Sequence, residues 1–198
     1  MPTTPGEVDL PGVVEEAQAI QAAVTAPHEV QILAEPSAEK VLSRLPDYTI
    51  AHFACHGSSD MLDPSNSFLA LHRKSDSAPD HLTVQRISES NLGQAWLAYL
   101  SACSTAENRV SELADEALHL ASGFQVAGFA HTVASMWPSS DDICAQVASV
   151  FYRELIVKGE FREGNRAVAA AIHSAVKEVR TQHAERPHQW AQVVHFGA

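Results

Sequence analysis

Apolar residues recur along this chain at two alternating periods. Val13, Val14, Ala17, Ile20 and Val24 fall at helical spacing, and Pro27 lies beyond the end of the helix they predict. Ser37 offers an N-cap to a shorter helix with Val41, Leu42 and Leu45 on its apolar face, closed by Pro46. The period then shortens. Residues 48–55 are rich in strand-forming side chains between a proline-containing turn and Gly57, and predict a buried strand. The Ser-, Asp- and Pro-rich stretch 58–80 reads as loop, with a short strand at 68–71. A second apolar strand covers residues 95–100 and ends where the small residues Ser101, Ala102, Cys103 and Ser104 replace bulky ones.

Leu113, Ala117, Leu120, Ala121 and Phe124 mark the next helix, which Gly128 ends. A third apolar strand, 131–137, stops at Pro138. Ser139, Ser140, Asp141 and Asp142 supply cap and dipole-matching acids for a long helix with Ile143, Val147, Val150, Phe151 and Leu155 inward, and Gly159 as its C-cap. A further helix is expected over 163–182, and a strand-like piece over 190–196. Strands alternating with helices predict an α/β fold, with a mainly parallel central sheet covered on both faces. Ligands of such sheets bind at the carboxyl ends of the strands.

The chain has 198 residues, 45% of them hydrophobic, enough for one domain with its own core. Residues 1–9 read as a flexible leader and 10–198 as a single domain. No apolar run approaches the roughly 20 residues of a membrane span, and the first residues lack the pattern of a secretory signal. Three cysteines, Cys55, Cys103 and Cys144, are too few for a secreted disulfide scaffold, so a reducing, cytoplasmic setting is expected. A formal net charge of −11 argues against nucleic acid as a partner.

Two strands end in reactive residues, one in Cys55-His56-Gly57 and the other in Cys103. A thiol with an ordinary pKa of about 8.5 needs a base to become a good nucleophile near neutrality. His56 suits that role, first activating sulfur and later protonating a leaving amine. The N–H groups of Gly57 and Cys103 are the natural donors to an oxyanion. Cys55 precedes His56 directly and is expected on the opposite face of its strand, as a core residue. Zinc is not expected: Cys55, His56 and Cys103 lack paired ligand spacing, as do the remaining histidines. His52 lies within its strand and is expected to be a buried, hydrogen-bonded residue.

His52-Phe53-Ala54-Cys55-His56-Gly57 and Leu100-Ser101-Ala102-Cys103-Ser104-Thr105-Ala106 resemble the two signature segments of the CHAT domain family, caspase-like peptidases often attached to tetratricopeptide repeats. The separation of His56 and Cys103 is also close to the roughly 50 residues found in caspases. The likeness extends from Leu10-Pro11-Gly12 to Pro187-His188-Gln189-Trp190-Ala191, through Ala134-Ser135-Met136-Trp137-Pro138. It implies a three-layer α/β/α caspase-like fold and a cysteine endopeptidase with His56 as general base and Cys103 as nucleophile. No metal or organic cofactor is implied. A protein or peptide substrate would pair with the main chain near Ser135, Met136 and Trp137. Relatives carry more strand-forming sequence before the position of Leu10, so a shortened domain is one expectation. A regulatory region, such as tetratricopeptide repeats, would lie outside this chain.

Asp115 and Glu116 read either as an acidic pocket preferring a basic residue before the scissile bond, or as acids at a helix start. Asp60 and Asp63 read as loop acids that could orient His56. Two other functions stay open: a catalytically silent CHAT-like module for protein interaction, and a thiol-dependent hydrolase or transferase acting on a small acyl substrate.

Overall fold

The computed structural model describes residues 1–58, 60, 62–72, 78–101, 114–137, 140–157, 160–161, 164 and 166–197. Its centre is a sheet of four strands in the order β1 (Ile50–Phe53), β5 (Leu97–Leu100), β6 (His131–Ser135) and β9 (Val193–Gly197). The first three run parallel, with Phe53 beside Leu100 and Leu100 beside Ala134; β9 returns antiparallel, placing Val193 beside Ser135. This is the mainly parallel α/β sheet that the alternating pattern predicts.

Period-two alternation sorts the strand side chains onto two faces. Leu97, Tyr99 and Val133 point into one apolar cluster, completed by Ile143, Val147 and Phe151 of α5 (Asp141–Leu155) and by Val168, Ala171 and Ala175 of α6 (Ala167–Gln182). Ile20 of α1 (Gly12–Ala23) joins the same cluster. Phe53, Ala98, Leu100 and Ala134 point the other way, onto Val41 of α2 (Ala38–Arg44), Ile87 of α3 (Val84–Ser88) and Phe124 of α4 (Ala114–Ala127). Helices therefore cover both faces, giving the three-layer α/β/α architecture. Among the described residues no helix is long and apolar enough to cross a membrane.

Several local expectations shift. Strand β1 stops at Phe53, and His56 opens a separate strand, β2 (His56–Ser58). That strand pairs antiparallel with β3 (Phe68–Leu71), which pairs in turn with β4 (Asp80–Thr83). The stretch read as loop thus holds part of a second sheet, anchored by Leu69, Leu71 and Leu82 in the core. Helix α3 follows directly, its first turn capped by the Thr83 hydroxyl, which accepts from the Arg86 N–H. The long helix α5 ends at Leu155 rather than near Gly159, because Ile156 and Val157 of β7 (Ile156–Val157) turn back to pair with β8 (Glu160–Phe161). Gly159 itself lies outside the described residues. Helix α6 begins at Ala167, later than expected, and a short helix α7 (Pro187–Trp190) precedes β9.

Candidate active site

His56 sits just past the carboxyl end of β1, and only 1% of its surface is exposed. Its Nε2 lies 2.7 Å from the Val8 carbonyl oxygen. A carbonyl only accepts, so Nε2 carries the proton. In the neutral ring Nδ1 is then the basic nitrogen. The contact reaches 48 residues back to the segment before α1, and Met1 and Leu10 of that segment are themselves buried. The Met1 amino group donates to the Ala54 carbonyl, and the Leu10 N–H donates to the Pro2 carbonyl at 2.8 Å. Residues 1–10, read from sequence as mostly leader, thus run along the strand end that carries His56.

The cysteines separate in the way their neighbours dictate. Cys55, 2% exposed, joins the cluster on the α4 face of the sheet, where burial pushes its thiol pKa up to about 11. Such a group is a small core residue, not a nucleophile at neutral pH. Cys144 is buried on α5, with the Gln192 amide 3.5 Å from its sulfur. Cys103 lies outside the described residues. Strand β5, which precedes it in the chain, is fully buried, and Ser101 is 9% exposed. Gly57 follows His56 within β2 and is buried, in register with Leu69.

Ser135 closes β6, and Met136 and Trp137 continue from it. On the side of β9 this stretch is already paired: Ser135 is in register with Val193, and the Met136 N–H donates to the Gln192 carbonyl at 2.8 Å. The half-exposed Trp137 indole donates to the His188 carbonyl at 2.6 Å. An extended peptide pairing here would use the side of β5, which stops one residue short, at Leu100 opposite Ala134. Asp115 and Glu116 fall in the first turn of α4. Asp60 and Asp63 bind their own loop: Asp60 accepts from the Leu62 and Asp63 N–H groups, and Asp63 caps the turn at Ser65. Those backbone donors hold the Asp60 carboxyl below its ordinary range.

Two polar features add to the sequence reading, in which His52 is a buried, hydrogen-bonded residue without named partners. His52, on the α5 side of β1, places Nε2 3.1 Å from Glu16 and Nδ1 3.1 Å from the Tyr152 hydroxyl, and its ring stacks on Tyr99. Glu16 is 3% exposed, and burial raises the Tyr152 phenol, keeping it a donor. The second feature is Asp141, at the start of α5. It packs closely against the Gly12 backbone and lies within electrostatic reach of His56, Glu16 and Asp142. Burial pushes its carboxyl pKa up, against the opposing pull of the Gly12 backbone and of His56.

A cavity of about 330 Å³ lies along the outer edge of β1, lined by Val13, Ile20, Ile32, Val41, His52 and Tyr152 among others. It reaches Cys55 but includes neither His56 nor the 135–137 stretch, so it is separate from the candidate catalytic end of the sheet. Among the described residues, no group of three His, Cys, Asp or Glu side chains is placed to hold a metal ion.

Compared with known families, residues 2–198 match the CHAT domain. The chain belongs to the CHAT domain family. That family is associated with the caspase-like peptidase fold, which the parallel core and its two helical layers display here. No curated protein matches the chain.

Proposed function

We propose that this CHAT domain is a cysteine endopeptidase in which His56 is the base and Cys103 the nucleophile. The observation that carries the reading is the buried His56 ring, held by its Nε2–H on the Val8 carbonyl so that Nδ1 is the basic nitrogen. The sheet register supports it. Phe53 and Leu100 are partners in adjacent parallel strands, and His56 and Cys103 each follow their partner by the same number of residues.

In this scheme His56 Nδ1 takes the Cys103 thiol proton, and the thiolate attacks the scissile carbonyl carbon. The N–H groups of Gly57 and Cys103 receive the oxyanion. Collapse breaks the C–N bond as the imidazolium returns its proton to the leaving amine. Water, deprotonated by His56, then attacks the thioester; carboxylate and free thiol result. No metal or organic cofactor is needed for these steps. Asp115 and Glu116 would favour a basic residue before the scissile bond, and Ser135, Met136 and Trp137 would hold the substrate main chain on the side of β5. We further propose that a regulatory region outside these residues controls the activity.

The test is a panel of short fluorogenic peptides, varied at the residue before the cleavage site, with Cys103→Ala and His56→Ala as controls. Cleavage lost in both variants, and strongest after Lys or Arg, is expected. A folded wild-type protein that cleaves nothing, with Cys103 no more reactive than Cys144, would replace the peptidase with a silent interaction module.

A further inference from the structure

The stretch proposed to hold substrate rests on one corner of the fold. Met136 donates its N–H to the Gln192 carbonyl at 2.8 Å, and the Trp137 indole donates to the His188 carbonyl at 2.6 Å. Both acceptors belong to the corner where α7 turns into β9, so the placement of 136–137 follows that of the corner. Few side chains anchor it. Residues 184–191 are exposed or half-buried, whereas Gln192, the last residue before β9, is fully buried.

The Gln192 side chain reaches from the corner to α5. Its Nε2 lies 3.2 Å from the Gln189 carbonyl oxygen of α7 and 3.5 Å from the Cys144 sulfur of α5. A carbonyl only accepts, so the amide nitrogen takes this side and Oε1 the other. That oxygen has no partner among the described residues. A buried acceptor left unmet is unfavourable, and Met or Leu would fill the same space without it. What glutamine adds is its pair of N–H donors.

We infer that Gln192 is a positioning residue for the substrate-holding stretch 135–137, its side-chain amide pinning the α7–β9 corner to α5. The path is continuous. Gln189 and Cys144 hold the amide, the Gln192 carbonyl holds Met136, and His188 of the same corner holds Trp137. Fixing this side sets how the main chain of 135–137 offers its other edge to an extended peptide, where β5 has stopped at Leu100. The inference rests on the proposed peptidase reading for its substrate, but the geometry is tested without it.

The experiment follows hydrogen exchange at the Met136 amide and the Trp137 indole N–H by NMR, in wild type and Gln192→Met. Peptide cleavage kinetics and thermal melting are measured in parallel. Gln192→Met keeps the volume and removes both the donors and the unmet oxygen, so Tm is expected to hold or rise. Both N–H groups are expected to exchange roughly tenfold faster, as loss of hydrogen bonds of ordinary strength implies. KM for the best peptide of the panel is expected to rise roughly tenfold with kcat nearly unchanged. Unchanged exchange in folded Gln192→Met overturns the inference, as does faster exchange with an unchanged KM. Should Gln192→Met not fold, Cys144→Ala, which removes one of the two acceptors, is read by the same outcomes. Faster exchange in a protein that cleaves no peptide even as wild type supports the positioning and counts against the peptidase instead.

Discussion

Replacing His52 by Phe isolates the polar network beneath β1, because the new ring keeps the stacking on Tyr99 while removing both ring nitrogens. His52 joins Glu16 and Tyr152 through two contacts of 3.1 Å each. The carboxylate requires Nε2 to donate, so Nδ1 accepts from the phenol. After the substitution, Glu16 retains a carboxyl in a site 3% exposed, and Tyr152 a hydroxyl in one 2% exposed. Each stranded polar group costs about 1–3 kcal/mol, more where it is charged. The sum, about 2–6 kcal/mol, brackets what breaking a buried pair generally costs. For a chain of this size each kcal/mol lowers Tm by about 2–4 °C, so a fall of at least about 4 °C is expected in calorimetry. Removing both ends with Glu16→Leu and His52→Phe should cost less than the two single changes added together, by about 1–3 kcal/mol. A fall in Tm below about 2 °C, or strict additivity of the two changes, would refute the network as a stabilising unit.

Other expectations follow from the same geometry. His131 and His195 stand 3.1 Å apart ring to ring across β6 and β9, and burial lowers both below the ordinary 6.5, His131 adding to the effect on His195. Because the fold favours the neutral rings, their stabilising effect is present above pH 6.5 and is lost as pH falls through it; urea midpoints at pH 7.5 and 5.5 should differ, and less so in His195→Gln. Phe124, fully buried and packed against Phe53 and Phe129 at ring distances of 5.1 and 5.6 Å, should cost about 3–5 kcal/mol on truncation to Ala, read from urea denaturation. Cys55, with its thiol raised to about 11, should alkylate at pH 7 slower by roughly two orders of magnitude in the folded protein than in urea, as mass spectrometry of the labelled peptide will show.

The layered fold was legible because it is written in long periodic segments. Val147, Phe151 and Leu155 of α5, and the uninterrupted apolar run of β5, have few alternatives to a parallel sheet between helices. The small sheet was not legible for a physical reason. Strand β2 contains His, Gly and Ser, which carry no alternation, and β4 shows a single buried residue, Leu82, so only tertiary pairing makes them strands. At the site, His56 stood out through its flanking signature. Its hydrogen-bond partner did not: Val8 acts through a carbonyl, which every residue possesses, and the side chain is 69% exposed. Asp141 was visible, but an acid at a helix start already has a sufficient local explanation. Only the folded chain shows how closely it packs against Gly12. Glu16 and His52 likewise sit at ordinary helix and strand positions, and pair only because α1 crosses the face of β1 that carries His52.

The central claim, that His56 activates Cys103, is tested most directly by labelling with a peptidyl acyloxymethyl ketone followed by mass-spectrometric mapping of the modified cysteine. The account predicts adduct on Cys103 alone, with the rate falling by about 10²-fold or more in His56→Ala while Cys55 and Cys144 stay unmodified. A folded protein in which Cys103 reacts no faster than Cys144, or equally fast without His56, would contradict it.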